Sequence, residues 1–158
     1  MNKCDQDLLG KVYVVTGGNS GIGFEAARNF AARGARLVLV CRSEQRGHAA
    51  LAKIELETGN DQGLLYVADF SSLESVSAVA DRLLSEFLKI DVLCNNAGSA
   101  NGQRSETSEG FETTLVTNHL SGFLLTKKLM PALERAAASG QARVVFTSSY
   151  GFAIAASQ

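Results

Sequence analysis

Five short apolar runs punctuate this sequence. Between them lie longer stretches in which apolar residues recur every three or four positions. Residues 12–16 are β-branched or aromatic and stop at two glycines, which predicts a buried strand. Over residues 21–33 the period lengthens, and Ile22, Ala26, Phe30 and Ala31 form a helical stripe that Gly34 ends. Residues 36–40 predict a second strand. Ser43 is placed to cap a helix carrying Arg46, Leu51, Ile54 and Leu56, closed by Gly59. Residues 64–68 predict a third strand. Ser71 or Ser72 caps the next helix, Glu74 favours its exposed amides, and Val76, Val79, Leu83, Leu84 and Phe87 make its stripe. A fourth strand over 91–94 leads into Asn95-Asn96-Ala97-Gly98 and a polar loop, 99–108. Two helical segments follow, 109–117 and 121–138, with Pro131 kinking the second or dividing it. Residues 143–147 predict the fifth strand.

Strands alternating with helices predict an α/β fold, a parallel sheet covered on both faces. Right-handed crossovers make the doubly wound order its natural form. A length of 158 residues suits one domain. The composition is 46% hydrophobic and 20% charged, which supports a core and argues against disorder. Lys plus Arg is 15 against 16 for Asp plus Glu, so no basic excess points to nucleic acid or an anionic membrane. No apolar run reaches the ~18 residues of a transmembrane helix. The first ten residues contain Asp5 and Asp7 and no apolar core, unlike a secretory signal. Cys4, Cys41 and Cys94 are scattered and odd in number. They have neither metal-ligand spacing nor a disulfide framework, so no metal and a cytoplasmic setting are expected.

The 15 glycines change the picture most. Thr16-Gly17-Gly18-Asn19-Ser20-Gly21-Ile22-Gly23 joins the first strand to the first helix. A backbone that turns there and approaches a pyrophosphate cannot carry a side chain at every position. Gly17 serves the turn, Gly21 lets the chain lie against phosphates, and Gly23 lets helix and sheet pack closely. Helix amides then face the anion. The competing reading is an ordinary glycine-rich turn. The spacing departs from the general Gly-x-Gly-x-x-Gly fingerprint, and no Lys-Ser or Lys-Thr follows as in a triphosphatase loop. At the tip of the second strand an NAD site favours Asp or Glu. Arg42 stands there instead, placed to meet a 2′-phosphate, so NADP is expected over NAD. Glu44 keeps NAD open, and Arg42 also fits a solvated surface position. Asp69, after the third strand, can meet an adenine amine or simply hold the turn at Ser71.

With these landmarks in order, the chain resembles the short-chain dehydrogenase/reductase family over nearly its whole length. The resemblance rests on Thr16 to Gly23, Asp69, Asn95-Asn96-Ala97-Gly98, Asn118 and the Ser148-Ser149 pair. The Cys41-Arg42 tip and Asn118-His119 are most similar to the branch containing retinol dehydrogenases, WW-domain oxidoreductases and protochlorophyllide reductases. The resemblance implies an NADP-dependent oxidoreductase that moves hydride to or from a small-molecule carbonyl or alcohol. Gly17, Asn19, Ser20, Gly21, Ile22 and Gly23 match the pyrophosphate loop. Asn95, Ala97 and Gly98 match the segment that stabilises the sheet and lines the nicotinamide ribose. Asn118 matches the catalytic asparagine that holds a relay water, although a capping asparagine between two helices would look alike. Ser149 matches the serine that hydrogen-bonds the substrate oxygen, with Ser148 the alternative. His119 is expected on the surface or in packing.

The family's Tyr-x-x-x-Lys is absent. Tyr150 adjoins Ser149, but Ile154 stands where Lys is needed. That tyrosine is the family's proton donor, and with a free pKa of about 10 it needs a neighbouring cation. The expectation is therefore an incomplete Rossmann domain over 1–158, the N-terminal five-strand portion, inactive alone. Further strands and a substrate-binding segment would lie beyond residue 158. Strand five would then be an exposed apolar edge, open to self-association as a homo-oligomer. A non-enzymatic nucleotide-binding or regulatory protein that keeps the Rossmann half is the alternative.

Overall fold

The computed structural model describes residues 6–100 and 102–148. Strands β1 (Val12–Thr16), β2 (Arg36–Cys41), β3 (Leu64–Val67), β4 (Val92–Asn95) and β5 (Arg143–Phe146) form one sheet in the order β3-β2-β1-β4-β5. Every neighbouring pair is parallel. The chain winds outward from β1 through β2 to β3, then restarts at β4 on the other side. This is the expected doubly wound Rossmann arrangement, and strand order reverses between β1 and β4.

The period of two along β2 separates the core into two layers. Leu37 and Leu39 pack with Val15 against α1 (Gly21–Ala32) and α2 (Glu44–Thr58), through Phe24, Ala27, Ala31, Ala50 and Ile54. Val38 and Val40 pack with Val14 and Leu93 on the opposite face, against α3 (Leu73–Glu86) and α5 (Ser121–Ala137). Val76, Val79 and Leu83 of α3 meet Leu125, Leu129 and Leu133 of α5 in that layer. A run apolar at every position is what two covered faces require.

Several details depart from the sequence expectation. Ser72, not Ser71, caps α3 by accepting from the Ser75 amide. The α3 stripe forms as expected. In α1 the buried side is Gly23, Phe24, Ala27 and Ala31, while Ile22 is 73% exposed. Ile22, Ala26 and Phe30 line an open groove of about 650 Å³ between α1 and β4–β5, floored by Val15, Val92, Cys94 and Val145. Leu56 of α2 is exposed and joins no core. β4 lies one residue later than expected. The helix after the polar loop starts only at α4 (Thr113–Leu115) and continues through a π-helical stretch, Val116–Leu120, into α5. Pro131 sits inside α5 without ending it. The irregularity falls at Asn118 instead, where the wider turn absorbs an extra residue.

β5 is one edge of the sheet and β3 the other. Val144, Val145 and Phe146 are all exposed on β5. No helix of the described residues is long and apolar enough to cross a membrane. No group of three or more His, Cys, Asp or Glu among them could hold a metal ion.

Candidate cofactor-binding site

A crevice of about 590 Å³ opens across the carboxyl ends of the strands. Gly17, Asn19, Ser20 and Ile22 line it from the β1–α1 turn, and Arg42 and Arg46 from the tip of β2 and the start of α2. Asp69 and Ser71 line it from beyond β3, and Ala97, Gly98 and Thr147 from the tips of β4 and β5. This is where an open parallel sheet places its ligand.

The β1–α1 turn is built for close approach. Gly17 and Gly21 have φ of 63° and 55°, a region that favours glycine. A Cβ on Gly17 would lie 3.0 Å from Ala97 Cα, whereas one on Gly21 would meet nothing within 4 Å. Gly23 is a packing position. A Cβ there would run into Asn96 Nδ2 and lie 2.5 Å from the Gly17 carbonyl oxygen. Thus Gly17 and Gly23 allow the turn to sit against the β4 loop, and Gly21 leaves the turn open.

Helix α1 differs from its neighbours at its N-terminus. Ser43 caps α2 and Ser72 caps α3 with their side chains, and each helix carries a glutamate in its first turn. Ser20 makes no such side-chain bond at α1, and no acid occupies its first turn. Uncapped amides and the positive end of the helix dipole therefore border the crevice, the condition for holding an anion. Arg42 and Arg46 add positive charge, and neither forms an ion pair among the described residues. Glu44 lies 3.9 Å from His48 and does not line the crevice. Uncapped amides, an open glycine turn and two free guanidinium groups fit a phosphorylated dinucleotide.

The β1 and β4 tips are locked by one buried hydroxyl. Thr16 Oγ1 accepts from the amides of Asn96 and Ala97, both at 2.9 Å, and donates to the Cys94 carbonyl at 3.3 Å. Asn96 Nδ2 donates to the carbonyls of Thr16 and Gly17. Asn95 faces the other way. Its Nδ2 donates to Thr126 Oγ1 of α5 at 2.9 Å, and it does not line the crevice. Its buried Oδ1 has no partner among the described residues.

Glu112 starts the helix that carries Asn118. Its carboxylate accepts from the Thr114 and Leu115 amides, which hold its pKa below the usual range. Asn118 Oδ1 accepts from the Ser99 amide and its Nδ2 donates to the Ser99 carbonyl, each at 2.8 Å. This pairing pins the loop after β4 to the π-helical turn. Asn118 itself does not line the crevice, whereas its partner Ser99 does. Asp69 Oδ1 accepts from the amide and hydroxyl of Ser71, so it holds the local turn while also bordering the crevice. His119 is on the surface, and so is Ser148. Ser149 lies outside the described residues.

Residue patterns had not singled out Arg46, Thr16 or Asn96 as site residues. Each left a trace in the sequence. Arg46 is a basic residue in the first turn of a helix, where the dipole disfavours it. Thr16 is a fully buried hydroxyl closing an apolar strand. Asn96 duplicates its neighbour, and only geometry tells the two apart.

The model of the family described as short chain dehydrogenase matches residues 11–155. The chain belongs to this family. It is 46% identical over 142 residues to human "Retinol dehydrogenase 12", a match covering 90% of this chain and 44% of that protein. It is 44% identical over 143 residues to human "Dehydrogenase/reductase SDR family member 13", covering 90% of this chain and 37% of that one. The chain thus spans less than half the length of these curated relatives. Among solved structures, the RhlG/NADP active-site complex of Pseudomonas aeruginosa superposes with a TM-score of 0.75 at 28% identity, covering 91% of this chain and 56% of that one. This family member therefore has an oxidoreductase-type fold with a nucleotide-binding crevice.

Proposed function

We propose that this chain supplies the NADP(H) site of an oxidoreductase acting on a carbonyl or alcohol, in the retinol dehydrogenase-like branch. The observation that carries the reading is the pairing of an uncapped α1 N-terminus with Arg42 and Arg46 along one crevice. The α1 amides and the Gly17–Gly23 turn hold the pyrophosphate. Arg42 and Arg46 take the 2′-phosphate, the feature that separates NADP from NAD. Asp69 borders the adenine, Asn96, Ala97 and Gly98 shape the nicotinamide end, and Asn95, turned to Thr126, braces the β4 tip from behind. The NADP named in the Pseudomonas aeruginosa complex and the similarity to retinol dehydrogenases support the same assignment.

When bound, the nicotinamide supplies or accepts hydride. Ser149 orients and polarises the substrate oxygen, as in the family that this sequence resembles. Asn118 holds a relay water. Its amide keeps one donor and one acceptor beyond the Ser99 pair, enough for that water. Protonating the oxygen needs the Tyr-x-x-x-Lys pair, which this sequence does not contain, so the chain by itself binds cofactor without turnover.

Calorimetric titration with NADPH and NADH tests the reading, with Arg42→Glu alongside. The expected result is a preference for NADPH that falls by about tenfold or more in the variant, since a charge-assisted phosphate contact becomes a repulsion. Equal binding of the two nucleotides, or an unaffected variant, would remove the role of Arg42.

A further inference from the structure

The tip of β5 is tied to the glycine turn through a single amide. Thr147 Oγ1 donates to Asn96 Oδ1 at 3.1 Å. The other end of that amide donates to the Thr16 carbonyl at 3.1 Å and the Gly17 carbonyl at 3.4 Å. An amide is planar and rigid, so its two ends cannot move independently. Asn96 has little freedom to turn. Thr16 holds its main-chain N–H, and the floor beneath its Nδ2 is Gly23, where no side chain fits. Among the described residues, the ladder bond from the Thr147 amide to the Asn95 carbonyl is the last between β4 and β5. The Thr147 hydroxyl adds a side-chain link beyond it.

We propose that Thr147 is a positioning residue: through Asn96 it sets the end of β5 against the glycine turn and so shapes the nicotinamide end of the crevice. The proposal rests on the cofactor reading above. Thr147 lies at the β4–β5 end of the crevice, and Arg42 lies at the β2 end. The adenosine half of a dinucleotide occupies the β2 end in this fold. A change at Thr147 must therefore be felt by the nicotinamide half and not by the adenosine half. Loss of general packing would weaken both.

The test compares NADPH with adenosine 2′,5′-bisphosphate, which carries the 2′-phosphate but no nicotinamide. Both are titrated into the unaltered chain, Thr147→Val and Thr147→Ser, with thermal melting as a control. Thr147→Val keeps the shape and removes the hydroxyl. It should weaken NADPH by about fivefold, the worth of one net hydrogen bond. Adenosine 2′,5′-bisphosphate should bind unchanged, and Thr147→Ser should restore NADPH affinity. The proposal fails if Thr147→Val binds NADPH like the unaltered chain, if both ligands weaken together, or if Thr147→Ser does not rescue. An unaltered chain that binds neither ligand would overturn the cofactor reading, and this proposal with it.

Discussion

The two halves of the sheet are covered differently. Around β1, β2 and β3, helices α1 and α2 close one face while α3 and α5 share the other, and Leu37, Val38, Leu39 and Val40 are almost wholly buried. Beyond β1, β4 is still buried at every position, whereas β5 is exposed along its length: α5 packs over part of one face, and the groove beside Ile22, Ala26 and Phe30 opens on the other. The crevice spans this divide. Its glycine turn, Arg42 and Arg46 sit on the doubly covered half, and Thr147 and the β4 loop sit on the half covered once. The half that carries the uncapped α1 amides and the two arginines is therefore the half with the firmer foundation. The β4–β5 end of the crevice is held by point contacts, namely Thr16, Asn96, Thr147 and the Asn118–Ser99 pair.

If the contrast is physical, mutations must report it. Leu39→Ala in the doubly covered half should cost about 3 kcal/mol in denaturant unfolding, because a fully buried leucine leaves a cavity between two layers that cannot collapse. Next in size comes alkaline unfolding, in which the most strongly raised groups are Cys94 in one half and Tyr66 in the other. Burial pushes the Cys94 thiol, on the groove side of β4, up to about 11 from an ordinary value of 9.0. Burial first and then the Glu86 carboxylate raise Tyr66, in β3, to about 12 from 10.0. In both cases the folded state holds the proton more tightly than the unfolded chain. The contribution is thus complete below about pH 9 and is lost as pH rises, through 11 for Cys94 and through 12 for Tyr66. The Cys94 part is on the order of 2 kcal/mol. Cys94→Ala should shrink the loss that begins near pH 9, leaving the part from Cys41, whose thiol is also raised by burial, and the later loss through Tyr66, as followed by stability curves across pH. The smallest effect belongs to Val145→Ala. Val145 is 46% exposed on β5, so unfolding should change by less than about 1 kcal/mol. If Val145→Ala cost as much as Leu39→Ala, the distinction between the halves would collapse.

Much of this was legible beforehand, and for identifiable reasons. Unbroken runs of valine and leucine in β1 and β2 signal strands buried on both faces. The α3 stripe was readable because that helix packs one continuous side against α5. The α1 stripe held at Ala31 and misled at Ile22, Ala26 and Phe30, because α1 has two apolar sides. One is buried under α2, and the other looks into the groove. The glycine turn was readable because glycine is favoured at the φ of 63° at Gly17 and is the residue whose missing Cβ permits the close approach at Gly23. Asn95 and Asn96 could not be separated from the sequence. They are the same residue in succession, and a strand sends successive side chains to opposite faces.

The sequence by itself determined the alternation of elements, the parallel doubly wound sheet and the position of the glycine turn at the crevice. These follow from local rules: side-chain periodicity, the handedness of crossovers and the restricted backbone of every residue but glycine. Tertiary structure alone decided which of two adjacent asparagines joins β1, β4 and β5, that Arg46 stands beside Arg42, and that α1 is the helix left uncapped at the crevice. Those outcomes depend on which strand ends and helix starts the fold brings together. Residues far apart in the chain meet there, and no local period records where they will point.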